Sequence, residues 1–191
     1  AEDDIGETMA WVRDRELLYG PESLLALYGN VVPFICSNTR QYPDIFLQRA
    51  AALTLCKFMC ISAEYCEANL GLLLHLLRTS KDAVVRANAV IGLGDVAVCF
   101  GTLVDENSER LYAGLGDKDL GVKKNTLMVL THLILNGMIK VKGQLGELAK
   151  CLEDEEMRVS DLAKLFFSEL AAKENAVYNN LPDIISHLST G

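Results

Sequence analysis

The sequence predicts an all-α fold, a solenoid of stacked helical hairpins, and three observations predict it. Apolar residues recur with helical spacing along nearly all of the 191 residues. Half of the residues are hydrophobic, led by Leu, Ala and Val, while aromatics reach only 7% and prolines number four, which favours helices. The chain also repeats itself at an interval of about 37 residues. Arg49, Arg86, Lys123 and Ser160 fall on that interval, each at the start of an apolar run. So do Met59, Val96, Leu133 and Leu170, then Cys60, Ala97, Ile134 and Ala171, and finally Leu74, Leu111, Leu148 and Ile185.

Taken in order, residues 6–19 and 22–36 read as a long and a short helix separated by Gly20-Pro21. The stretch "SNTRQYPD", Ser37 to Asp44, is longer than the later joints and breaks the strict register. Residues 1–43 are therefore the less regular part and 44–191 the in-register part of one solenoid segment. Long helices are expected near 44–61, 82–100, 119–136 and 156–172, with short ones near 68–78, 105–116, 143–152 and 177–189. The turns "TSKDAVV" and "GDKDLGV" place Asp82 and Asp119 where a carboxylate caps exposed amide N–H groups. One such pair cannot bury its own apolar face, whereas stacked neighbours share a continuous core. Two helices per unit, with Asp-x-x-Val-Arg at 82–86 and Asp-x-x-Val-Lys at 119–123, favour HEAT-type repeats over armadillo ones. The chain lacks an initiating Met and ends on an apparent helix, so it is expected to be a section of a longer solenoid.

Charge and cysteine usage narrow the functional classes. A net charge of -8 argues against a chain that binds nucleic acid over its whole surface. From Lys118 to Lys150, however, six lysines face only Asp119 and Glu147, a local +4 that leaves -12 elsewhere. Cys36, Cys56, Cys60, Cys66, Cys99 and Cys151 sit mostly inside apolar helical patterns, as free thiols of a reducing compartment do. The longest uncharged stretch near the start, Ser23 to Thr39, contains Gly29, Asn30 and Pro33 and is a poor membrane span. A soluble chain with no membrane contact is expected.

Catalytic chemistry finds little support. His75, His132 and His187 lie on different helices without partners at metal or triad spacing. Cys56 and Cys60, four apart, would give half of a zinc site, but they occupy ladder positions held elsewhere by Leu130, Phe167, Ala97 and Ile134. "GLGD" at 92–95 and 114–117 neither follows a strand nor opens a helix, so a phosphate cradle is not indicated. "EDEE" at 153–156 reads as a solvated charge run. No catalytic residue, cofactor or metal is expected.

The basic positions carry the remaining functional expectation. Arg49, Arg86 and Lys123 recur at the starts of long helices, which commonly line the concave surface of such solenoids. They read either as a ladder stacked on the acidic turns or as contacts for a partner. Lys124 has no counterpart in that ladder. With Lys123, Lys140 and Lys142 it would form a basic patch for phosphates or an acidic partner, without the aromatics needed for base stacking. Lys140 and Lys142 stand on a turn that ends in Gly143, whereas the corresponding joint "FGTLVD" at 100–105 has no lysine.

Four stretches also resemble a known family. "VRANAVIGLGDVAVCF" (85–100), "LMVLTHLILNGMIKVKGQLGELAKCLEDEE" (127–156), "RVSDLAKLFFSELAAKENAVYNNLPDII" (158–185) and "LQRAAALTLCKFMCISAEYCEANL" (47–70) are similar to the condensin subunit 1 family, in a fungal form. That family comprises large HEAT-repeat, non-SMC condensin subunits, and the resemblance runs from about residue 15 to the end. It implies a non-catalytic subunit that binds the kleisin and an SMC ATPase head and contributes to DNA engagement in mitotic chromosome condensation. It also implies a nuclear and chromosomal location, with a cytoplasmic phase of the cell cycle. The "KVKG" turn matches a Lys-Gly loop of the family, so Lys140, Lys142 and Gly143 are the expected contact residues. A protein-only adaptor of karyopherin or phosphatase-scaffold type shares the architecture and is the alternative.

Overall fold

A computed structural model describes residues 2–139 and 145–188, with side chains described at all of these except 2, 24, 25 and 174–188. Every described element is helical. Helix α1 (Glu2–Val12) runs into a wider π-type turn over Arg13–Leu18, and the chain then reverses into α2 (Leu24–Ser37). Helices α3 (Ile45–Met59), α5 (Ala83–Cys99), α8 (Leu120–Leu135) and α10 (Met157–Leu188) lie side by side as a layer of long helices. Between them come α4 (Ala63–Thr79), the short α6 (Gly101–Glu106) and α7 (Ser108–Tyr112), and α9 (Leu145–Lys150). Helix α2 packs on α3 and α4, α4 on α3 and α5, and α7 on α8, so the intervening helices form a second layer.

The repeat positions the core. Met59, Val96 and Leu133 are fully buried in successive long helices, and Leu74, Leu111 and Leu148 are buried in the second layer. Val85, Val122 and Val159 form a further buried row at the same interval. Shared burial of this kind lets each pair contribute to its neighbour's core. The α3–α5 approach is unusually close at Gly92, where an added Cβ would overlap Cys56 Sγ and lie 2.7 Å from Cys56 Cβ. The first "GLGD" thus serves helix packing.

Carboxylates start the long helices as the sequence predicts. Asp44, Asp82 and Asp119 accept the N–H groups of Leu47, Val85 and Val122 at 2.7, 3.3 and 3.1 Å. Helix α4 begins earlier than expected because Ser62 caps it, accepting the Tyr65 N–H at 3.2 Å. Helix α2 contains Pro33, which has no N–H to offer the carbonyl of Gly29. The Tyr65 hydroxyl supplies the missing donor, at 2.7 Å.

Two further expectations about element boundaries are corrected. The short helix expected at 105–116 is broken into α6, α7 and a 3₁₀ turn at Ala113–Gly116, with Asn107 and Ser108 folding back onto the Leu103 and Asp105 carbonyls at the break. The helices expected at 156–172 and 177–189 run as one, α10. No Gly or Pro occurs between Met157 and Leu181 to break the helix.

Candidate partner-binding surfaces

Three basic side chains at the heads of successive long helices reach forward to the next joint. Arg49 donates to both Asp82 carboxylate oxygens, at 2.7 and 3.0 Å. Arg86 repeats this fork on Asp117 at 2.7 and 2.9 Å, and its third nitrogen donates to the Ser80 carbonyl at 2.8 Å. Lys123 makes a single 2.7 Å contact with Asp154. The fourth ladder member, Ser160, turns its hydroxyl to the Met157 carbonyl, so the ion-pair series stops there.

The acceptors are also in register. Ser80, Asp117 and Asp154 stand 37 residues apart, and each accepts the N–H two residues on, at 3.3, 2.8 and 3.0 Å. Ser80 carries no charge, so Asp82 both caps α5 and holds Arg49. Each pairing holds a carboxylate below its ordinary range. For Asp82 and Asp154 the leading cause is the hydrogen bond from Arg49 or Lys123. For Asp117 burial pushes upward, but the Arg86 hydrogen bonds and the Asp119 N–H outweigh it.

Of the expected contact residues, Arg49, Arg86 and Lys123 are thus held in the joints. Lys124 is half-buried on α8 and makes no ion pair with a described residue. Lys140, Lys142 and Gly143 lie outside the described residues.

Two open surfaces among the described residues stand out. On the long-helix layer, Ile91, Met128 and Leu165 recur at the 37-residue interval and are 46%, 49% and 55% exposed. Leu53 lies beside Ile91 in a shallow groove of about 230 Å³, with Lys57, Asn88 and Asp95 on its walls. The larger hollow, about 530 Å³, lies at the edge where α2, α3 and α4 meet the first two joints. Its floor includes Cys36, Leu76 and Val85, and its rim carries Arg40, His75 and Lys81. Sequence reading overlooked both. The signal for the first is the Ile91–Met128–Leu165 interval itself. The signal for the second is Gln48, which stands 37 residues before the buried Val85.

The thiols of Cys36, Cys56, Cys66 and Cys151 belong to the packing, while Cys60 is half-buried and Cys99 exposed. All six cysteines are free, and burial pushes Cys36 and Cys66 up to about 11 and Cys56 to about 12. Among the described residues no group of three or more His, Cys, Asp or Glu side chains could hold a metal ion. Nor is any described helix long and apolar enough to cross a membrane.

Known proteins are similar to this chain. The family model of the non-SMC mitotic condensation complex subunit 1 matches residues 84–191. Condensin complex subunit 1 of Saccharomyces cerevisiae is 49% identical, and that of Schizosaccharomyces pombe 50% identical, each over 99% of this chain. The human protein of that name is 43% identical, again over 99% of the chain. The chain spans only 16% of either yeast relative and 13% of the human one.

Proposed function

Because the chain belongs to the family of the non-SMC mitotic condensation complex subunit 1, we propose that it is a non-catalytic scaffold segment of a condensin complex. In this reading it helps the subunit to bind the kleisin and an SMC ATPase head, and contributes to DNA engagement on chromosomes in the nucleus. The observation that carries the proposal is the 49–50% identity to yeast condensin subunits over 99% of the chain. The stacked helices support a scaffolding role, since their titratable side chains form structural pairs rather than a reactive cluster. Within it, Lys124, Lys140, Lys142 and Gly143 are the proposed DNA or partner contacts, while Arg49, Arg86 and Lys123 act by holding the joints that present them.

The test uses the reconstituted complex with the full-length subunit. Lys140→Glu with Lys142→Glu is expected to weaken DNA binding, flatten its salt dependence and lower DNA-stimulated ATP turnover. Unchanged binding and turnover across a salt titration would remove the DNA role of this segment. A second reading, a protein-only adaptor, is favoured by the carboxylates already occupying Arg49, Arg86 and Lys123. It predicts that the same variants leave DNA binding intact and that SMC and kleisin subunits do not dominate a pull-down from nuclear extract.

A further inference from the structure

The hollow beside the first joint combines features found together nowhere else among the described residues. Its outer wall is the Ser37–Asp44 segment, the part of the sequence that departs from the repeat. That wall is preformed. The Gln48 amide donates to the carbonyls of Ile35 and Tyr42 at 3.0 and 2.8 Å, tying the last turn of α2 and the far end of the segment to α3. The Asn38 amide closes the end of α2 on the Phe34 carbonyl at 2.7 Å, and the Phe34 and Tyr42 rings meet edge to face. Gln48 can do this because it replaces the buried valine that the later repeats carry at 85, 122 and 159. A core position has become a clamp.

The charges around the hollow are one-sided. Arg40 on the outer wall and Lys81 on the facing turn are exposed, and neither makes an ion pair with a described residue. Asp82 is the one carboxylate on the lining, and it is already committed to Arg49. Two cations without an ion-pair partner among the described residues thus share the lining of a hollow with an apolar floor, on a chain whose net charge is -8. The next joint carries the register-equivalent Lys118, but the joint before it, 80–82, is too short to raise an opposing wall. At about 530 Å³ the hollow is in the size range of pockets that take a few residues or a small ligand, and far too narrow for a nucleic-acid duplex.

We propose that this cleft binds an acidic peptide segment, with one apolar side chain seated over Leu76 and Val85 and flanking carboxylates on Arg40 and Lys81. The apolar floor supplies burial, the two cations set orientation and on-rate, and the fixed wall lowers the ordering cost. The site is separate from Lys140 and Lys142, so it stands whether or not that segment contacts DNA.

The experiment is fluorescence anisotropy on this chain with labelled octapeptides. One carries a single leucine flanked by glutamates, a second replaces the glutamates by lysines, and a 12-base-pair DNA duplex is the third probe. The acidic peptide is expected to bind with an affinity that falls as salt rises, and the lysine peptide to bind at least about tenfold more weakly. Arg40→Glu with Lys81→Glu, both exposed positions, should weaken the acidic peptide at least tenfold while the thermal melt is unchanged. Gln48→Ala, which frees the wall, should weaken it without altering its salt dependence. Failure of the acidic peptide to bind overturns the proposal, as does equal binding of the two peptides. Undiminished binding by the charge-reversed chain, or displacement of the peptide by the duplex at these residues, overturns it too.

Discussion

The hydroxyl of Tyr65 on α4 donates to the carbonyl of Gly29 on α2, the acceptor that Pro33 leaves without its helical partner. Pro33's missing donor is made good by a buried side chain 36 positions beyond the acceptor, Gly29. Tyr65→Phe therefore orphans a buried carbonyl and is expected to destabilise the chain by about 1–3 kcal/mol. Pro33→Ala restores an N–H to the same carbonyl, so Tyr65→Phe should cost markedly less in that background. Urea unfolding of the four chains in a double-mutant cycle checks the coupling, and additive effects would contradict it.

The Arg86–Asp117 pair has side-chain exposures of only 6% and 11%. Removing one partner strands a buried charge, so Asp117→Ala should cost about 3–5 kcal/mol. Arg86→Met with Asp117→Leu removes both charges and should recover most of that loss. Arg49→Met, at the more exposed first pair, should cost less than Arg86→Met. Chemical denaturation ranks the variants.

Asp82, Asp117 and Asp154 ionise below the ordinary 3.8 in the folded chain. The unfolded chain therefore takes up protons first as pH falls. The stability these pairs contribute is complete above about pH 5. It is lost as pH drops from there through the lowered native values. Melting temperature followed from pH 6 to 3 should stay nearly level and then fall. The Asp82→Asn, Asp117→Asn, Asp154→Asn triple variant should start lower and fall less steeply.

The same substitution should have opposite signs at two helical glycines. Gly92→Ala puts a methyl into Cys56 and is expected to cost about 1–3 kcal/mol. Gly71 on α4 has open space around its Cα, so Gly71→Ala should stabilise by about 0.5–1 kcal/mol. Equal effects from thermal melts would place the α3–α5 contact elsewhere.

The long helices were legible in the sequence because three signals coincide there. A capping aspartate, a basic residue four places later and an apolar ladder mark α5 and α8 to within a residue or two at each end. The intervening helices were less legible. Ser62 is a cap without a register equivalent, and the break at Asn107 depends on side chains folding back onto local carbonyls. Sequence reading also left Arg49, Arg86 and Lys123 open between ladder and contact, because a basic residue at a helix start reads alike in both roles. The carboxylates that hold them lie 31 to 33 residues away. The cleft was hidden for a different reason: Gln48 is one polar residue in an apolar row, and its meaning appears only when both carbonyls it binds are seen.

The three joint pairs also set how the rod can flex. An arginine fork grips both oxygens of a carboxylate and fixes its orientation, whereas a lysine ammonium holds one oxygen and swivels about it. Arg49 and Arg86 therefore lock their joints against twisting, and the buried middle one does so with least slack. Lys123 leaves the third joint a ball-and-socket. Elastic compliance should thus be concentrated at one end of the segment, so that load on the solenoid bends it there first.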